Sequence, residues 1–560
     1  MKRLSALIAT AALVLCFSAG QAVAMEGGSG AGQEAGQSAG SGQSASGGSG
    51  AYQVGPSNSA GSIRVLSPGD SGNVTQSNNT TAAAVAANGN KTDQSVDQSQ
   101  TGGGYGSDYA QIAGQEAKNK QDADANATAK QIGARNDAQS IRVLSPGDNG
   151  DVTQSNSASA GALAANGNKT DQTAEQSQTG GGKGSDYTQI AGQSAENKQS
   201  ADADAKAVQV KPSNSASSIR VLSPGDDGDV TQSNDATALS AALNGNKTDQ
   251  SIDQSQGSAP MDAAKADDKK DMSHPSGSDY TQIAGQSADN KQSADADATA
   301  VQIKPTNTAT SIRVLSPGDD GDVTQSNNAI ALGIAANGNK TSQSTTQSQS
   351  GSGYGSDYAQ IAGQEAGNYQ KADADATAVQ VKPTNTVTSI RVLSPGDDGD
   401  VTQSNNAVAL GAALNLNDTE QSIDQQQTGS GHGSDYLQVA GQGAWSGQHA
   451  DVDATALQFG AKNEYTPIRV GSPNGKDKKK HGKDEHSKDA KTSHGGSVEQ
   501  SNSVGAFGLA LNLNKTHQPL RQSQTGHGSS GLQVGGQGAW SWQDASADVF
   551  GLQGVMRSKK

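Results

Sequence analysis

One cysteine, Cys16, occurs in 560 residues. It lies in the opening segment "MKRLSALIATAALVLCFSAGQAVA", where Lys2 and Arg3 precede an apolar run that ends in Ala22-Val23-Ala24. Residues 1–24 therefore read as a secretory signal peptide, with the mature chain expected to begin at Met25. Leu15 precedes the cysteine where a lipidation site wants a small residue. The mature chain has no thiol, which excludes disulfides and cysteine-ligated metal.

Large apolar side chains are scarce as well. Aromatics make up 3% of the chain. Leu, Ile, Val and Phe together make up about 13%, below the ~20% at which an ordinary hydrophobic core becomes doubtful. No later apolar run has the length of a membrane span. Positive charge is in deficit, with 40 Lys+Arg against 56 Asp+Glu and a formal net charge of −16. Such a chain is repelled by nucleic acid and by anionic lipid, so neither is expected as a partner. Two outcomes remain. One is a disordered hydrophilic secreted chain. The other is a fold held by backbone hydrogen bonds and close packing of small side chains.

What the chain has is repetition. "SIRVLSPGD" begins at Ser62, Ser140, Ser218, Ser311 and Ser389, and a worn copy, "PIRVGSPNG", begins at Pro467. The steps are 78, 78, 93, 78 and 78 residues. The long step carries the charged stretch "GSAPMDAAKADDKKDMSHPSG", and the last unit carries "KDKKKHGKDEHSKDAKTSHGG". Both insertions are polar and belong on exposed loops. The organisation is a signal peptide (1–24), a Gly/Ser-rich leader with a degenerate half repeat (25–61), five tandem repeats (62–466), and a sixth repeat with the Lys/His-rich insertion and an aromatic end (467–560). Repeats of this kind stack on their neighbours instead of folding alone.

Each unit keeps a period of two. From Gln154 the alternate residues are Gln154, Asn156, four alanines, Asn166, Asn168, Thr170, Gln172, Ala174, Gln176 and Gln178. From Tyr187 they are Gln189, Ala191, Gln193, Ala195, Asn197, Gln199, Ala201, Ala203, Ala205, Ala207 and Gln209. Period two predicts strands, whereas a helix would scatter these residues around its circumference. The fold class is thus all-β: a β-solenoid or stacked strand-turn-strand array with flexible polar loops. Turns are expected at Ser223-Pro224-Gly225-Asp226 and, by the hairpin preference of Asn-Gly, at Asn166-Gly167-Asn168. A further break near Glu196-Asn197-Lys198 would leave strands of ordinary length. The constant face is expected to form ladders in which Gln and Asn amides bond the same residue in the strands above and below.

"QIAGQSAENKQ", from Gln189 to Gln199, resembles the repeat of bacterial functional amyloids of the curlin type through Gln189, Gly192, Ala195 and Gln199. The Gln-to-Gly gap is one residue longer than in that family, Gln193 stands where the family has Asn, and the half unit is much longer than a curlin repeat. The resemblance implies an extracellular β-fibril or β-solenoid that associates with itself or with related fibre subunits. The expected function is a secreted structural protein of a fibre, biofilm matrix or coat. An extended β-solenoid surface adhesin is the alternative.

Candidate sites are few. Asp226, Asp227 and Asp229 crowd one glycine turn, as do Asp319, Asp320 and Asp322, and Asp397, Asp398 and Asp400. Clustered carboxylates suit calcium, although Asp and Gly are also ordinary turn residues and the spacing matches neither an EF-hand loop nor the glycine-rich nonapeptide of calcium-bound β-rolls. No other cofactor is expected. Asp202 and Asp204, with their equivalents, lie on the variable face. Stacked in register they would repel one another, which suits solubility and gatekeeping against lateral clumping or, alternatively, an assembly sensitive to pH or cations. His481, His486 and His494 sit irregularly among lysines, which suits a solvated loop. "GQSAG" at 36–40 matches a nucleophile elbow only by chance, and no catalytic constellation emerges. The chain's three tryptophans, Trp445, Trp540 and Trp542, join Phe507 and several leucines on the variable face of the last two repeats. They mark a candidate docking or nucleating end, where a cell-surface or matrix partner would attach.

Overall fold

A computed structural model describes residues 33–102, 109–180, 185–258, 278–351, 356–429, 435–471, 496–526 and 530–554. The signal peptide, the charged stretch 259–277 and the Lys/His-rich insertion lie outside these residues. Each repeat winds once as a coil of three strands, two long ones flanking a short one. The first coil is β1 (Gln33–Val54), β2 (Ser57–Val65) and β3 (Val74–Gly102). The second is β4 (Tyr109–Ile132), β5 (Arg135–Val143) and β6 (Val152–Gly180). The third is β7 (Tyr187–Val210), β8 (Ser213–Val221) and β9 (Val230–Ser258). Then come β10 (Tyr280–Ile303), β11 (Thr306–Val314) and β12 (Val323–Gly351). The fifth coil is β13 (Tyr358–Val381), β14 (Thr384–Val392) and β15 (Val401–Gly429). The sixth is β16 (Asp435–Phe459), β17 (Lys462–Val470), β18 (Val498–His517) and β19 (Leu520–Gly526), and β20 (Ser530–Gly554) follows alone.

Equivalent strands stack in parallel and in register, so that Gln189 lies beside Gln111 and Gln282. Three sheets result. Sheet 1 has seven strands in the order β1-β4-β7-β10-β13-β16-β20. Sheet 2 is β17-β14-β11-β8-β5-β2, and sheet 3 is β18-β15-β12-β9-β6-β3, with β19 beside β15. Sheets 1 and 3 lie face to face and sheet 2 forms the corner. No helix occurs among the described residues, and so none is long and apolar enough to cross a membrane.

The core between sheets 1 and 3 is built of alanine. Ala201, Ala203, Ala205 and Ala207 pack against Ala236, Ala238 and Ala242, all at 1% exposure or less. A methyl group fills little volume, so the sheets approach closely and the scarcity of large side chains ceases to matter.

The expected interruptions do not occur. β6 runs unbroken for 29 residues through Asn166-Gly167-Asn168, and β7 runs for 24 through Glu196-Asn197-Lys198. Asn-Gly favours a hairpin only where the chain turns back on itself. Here parallel neighbours hold the backbone on both sides, and the inward amides of Asn166 and Asn168 bond Asn244 and Asn246 at 2.9 and 2.8 Å. The corner does turn at Ser223-Pro224-Gly225. Leu222 takes φ of 50° and Gly225 φ of 128°. A left-handed leucine costs about 1–2 kcal/mol. Leu144, also left-handed, is held in place by its N–H bond to the Val221 carbonyl at 3.0 Å.

Tyr109, Tyr187, Tyr280, Tyr358 and Tyr436 open the long strands of sheet 1 and stack with ring centroids 5.1–5.2 Å apart. A Cβ on Gly180 would stand 2.0 Å from the Tyr187 hydroxyl, so only glycine admits the ring there.

Candidate assembly surfaces

Gln154, Asn156, Asn168, Gln172, Gln189, Gln193, Gln199, Ala203 and Gln209 all face inward and are buried. A glutamine amide has two N–H donors, and several of these residues use both. Gln189 Nε2 donates along the axis to Gln111 Oε1 at 3.0 Å and across the core to the Ser255 carbonyl at 3.2 Å. Gln193 reaches Gln115 at 2.8 Å and the Ser251 carbonyl at 2.9 Å. Gln199 reaches Gln121 and the Gly245 carbonyl at 2.8 and 3.0 Å. Gln172, on sheet 3, crosses the core from the other side: its Nε2 donates along the axis to Gln94 of the preceding coil at 2.7 Å and across to the Ser194 carbonyl of sheet 1 at 3.1 Å. Gln154 and Gln209 bond Gln76 and Gln131 in the coil below, at 2.8 and 3.0 Å. Asn156 links Asn234 and Asn214, both at 3.0 Å, and so ties sheet 3 to sheet 2. One row of side chains thus joins each coil to the next and the two sheets to each other.

These rows have a direction. The glutamines of sheet 1 donate toward the N-terminal coil and accept from the C-terminal side, as Gln282 does with Gln189 at 2.9 Å. The asparagines run the opposite way, Asn119 donating to Asn197 at 2.9 Å.

The nine turn aspartates are divided by the corner. Asp227, Asp320 and Asp398 point inward against a row of fully buried arginines. Arg220 Nε donates to Asp227 at 2.7 Å and its Nη1 to the Gly147 carbonyl at 2.8 Å. Arg391 lies 3.0 Å from Asp398 and 3.1 Å from Asp320. Burial alone would raise the Asp227 pKa, but the charges of Arg313 and Arg220 override it and hold the carboxyl below its usual range. Asp226, Asp229, Asp319, Asp322, Asp397 and Asp400 are exposed. Asp226, Asp229, Asp319, Asp322 and Asp400 each accept a backbone N–H of the next coil, as Asp226 does from Asp319 at 2.8 Å and Asp229 from Asp322 at 3.0 Å. Among the described residues no group of carboxylates or histidines converges on a metal position. The arginine row was legible only as a fixed Arg-to-Asp interval inside "SIRVLSPGDDGD".

On the outer face of sheet 1, in-register stacking lines up carboxylates. One row is Asp124, Asp202, Asp295, Asp373 and Asp451, and the next is Asp204, Asp297, Asp375, Asp453 and Asp548. Partial burial, then repulsion from Asp295, Asp375, Asp204 and Asp202, pushes Asp297 up to about 7. Asp375 rises to about 6 for the same reasons, burial first and then Asp373 and Asp453.

Trp445, Trp540 and Trp542 lie on that same outer face at the C-terminal coils, 41%, 79% and 54% exposed. Trp445 and Trp540 are in register. Trp445 lies over Gly367 of the preceding coil, where a Cβ would stand 2.6 Å from its Nε1. Beside it Lys291 sits 5.6 Å from the Tyr369 ring centroid. Phe507, Leu509, Leu511 and Leu513 are exposed on the outer face of sheet 3.

No protein-family model matches this chain, and neither the curated proteins nor the solved structures offer a match.

Proposed function

We propose that the protein is a secreted structural subunit that stacks end to end into an extracellular fibre, matrix or coat. The observation that carries this reading is the pair of open ends: β1 and β20 each have one strand neighbour among the described residues. An uncovered edge of backbone N–H and C=O groups is a template for another strand, and natural monomers usually block it. Proportions speak against a stalk. Strands of 29 residues span about 95 Å, while seven strands rise only about 30 Å along the axis. One copy is a slab, and only a stack of copies is long. Negative-stain microscopy and fibre diffraction of purified Met25–Lys560 test this reading. Filaments with a meridional spacing near 4.8 Å support it, and a monomer that stays soluble at high concentration refutes it. Mass spectrometry of the mature N-terminus from culture supernatant tests secretion.

A further inference from the structure

We infer that the junction between copies is polar and keyed: β20 of one copy receives β1 of the next, in register, through sheet 1 alone. This rests on the assembly reading above and specifies its geometry.

The first argument is hydrogen-bond polarity. Gln33, Gln37, Gln43 and Gln53 occupy on β1 the columns that Gln533, Gln537, Gln543 and Gln553 occupy on β20. Sheet 1 glutamines donate toward the N-terminal side, so β1 offers four amide donors downward. The four β20 amides donate to Gln438, Gln442, Gln448 and Gln458 at 2.7–3.1 Å, which turns their Oε1 atoms toward the open edge. A donor end meets an acceptor end only when copies stack head to tail. Stacking tail to tail would set oxygen against oxygen. The asparagine column, whose polarity is reversed, ends in Ser41 below and Ser541 above, and a hydroxyl both donates and accepts.

The second argument is shape. On the outer face, the columns of Trp540 and Trp542 carry Gly40 and Gly42 on β1, and that of Phe550 carries Gly50. Nothing lies within 4 Å of where a Cβ on Gly40 or Gly42 would be. Trp445 beside Gly367 shows that a tryptophan and a glycine fit adjacent levels of this column, although there the ring lies toward the N-terminal neighbour, and at the junction it would cover the glycine on the C-terminal side. The third argument is charge. Asp544 and Asp548 of β20 share columns with Ser44 and Gly48, so no carboxylate faces another across the seam.

The seam leaves a gap. Sheet 1 has seven strands, while sheets 2 and 3 have six levels each. Stacking β1 on β20 therefore skips one level of sheets 2 and 3 at every junction and gives an axial rise of about 34 Å per copy.

Paired cysteines test the geometry, because the mature chain has none. Ser46 and Ser546 share an outer column, and in-register neighbours lie within disulfide reach. The Ser46→Cys/Ser546→Cys double variant, oxidised after assembly, should give a ladder of covalent multimers on a non-reducing gel. Ser46→Cys and Ser546→Cys single variants, mixed, should give only the mixed dimer. Dimers from Ser546→Cys alone, or fibres without the 46–546 link, overturn the junction while leaving the fibre reading intact. Absence of fibres by microscopy sinks both. A Gly40→Trp/Gly42→Trp variant should slow elongation at least tenfold, and adding Trp540→Gly/Trp542→Gly should restore it. Failure of that rescue also overturns the key.

Discussion

Arg313 and Asp227 come from successive coils, yet they stand 3.4 Å apart in the buried corner, and Arg313 also bonds Asp320 of its own coil at 2.7 Å. Each charge is therefore shared between two levels of the stack, and the corner is a continuous ionic thread instead of a set of separate pairs.

Breaking that thread should be costly. Asp320→Ala leaves Arg313 and Arg391 buried without the carboxylate between them. Removing one partner of a buried pair costs about 3–5 kcal/mol. The denaturation midpoint should fall clearly. Glu196→Ala, in the exposed pair with Lys198 at 2.5 Å, should leave it nearly unchanged because solvent screens such pairs. Equal shifts in the two variants would contradict the buried thread.

Stability should rise as pH falls from 8 toward 5. Asp297 and Asp375, raised to about 7 and about 6, bind protons more tightly folded than unfolded. Their repulsion is present above those values and is relieved as pH falls through them. Asp297 on β10 faces Asp202, Asp204 and Lys206 on β7 and Asp373, Asp375 and Lys371 on β13, with Asp295 on its own strand. Below the ordinary carboxylate range the sign reverses, because the unfolded chain takes up protons there that Asp227, held low by the arginines, resists binding in the fold. Melting curves of the wild type and of Asp297→Asn/Asp375→Asn between pH 4 and 8 check this. The variant should be flatter across 5–7.

The two faces of β7 should respond oppositely to charge. Ala203 is fully buried among the alanines of both sheets, so Ala203→Lys places an ammonium where no water reaches. Asp204 lies outward in a row of carboxylates, and Asp204→Lys should be neutral or stabilising. Circular dichroism should show loss of β content for the first variant alone.

Gly180→Ala should disturb the tyrosine stack without touching the amide rows. The added methyl would meet the Tyr187 hydroxyl at 2.0 Å and force the ring out of its column. The near-ultraviolet dichroism of stacked tyrosines should weaken while the far-ultraviolet strand signal persists. An unchanged near-ultraviolet spectrum would count against the stack.

Strand character and the inward set were readable from the sequence because a period of two assigns every residue to a face. The length of the strands was not. Asn166-Gly167-Asn168 has the local chemistry of a turn, and only contacts with coils 78 residues away, such as Asn168 to Asn246, hold it extended. The arginine corner was missed for a similar reason. Arg220 reads as a lone exposed charge in a short apolar strand until Asp227 folds back beside it and Asp226 offers its carbonyl. Local propensity sees neighbours in sequence, whereas here most of the decisive neighbours are one coil away.

In-register stacking also bears on how such a chain can change over generations. Gln189 meets Gln111 below and Gln282 above in the same geometry, so its coil is nearly interchangeable with those on either side. Recombination between near-identical gene segments could delete or duplicate one unit and leave the remaining bonds as they were. The bonding pattern therefore does not itself fix the number of coils. The glycine-rich first strand and the tryptophan-bearing last one have no such spare copies, so a lineage that varies in length would still have to keep both.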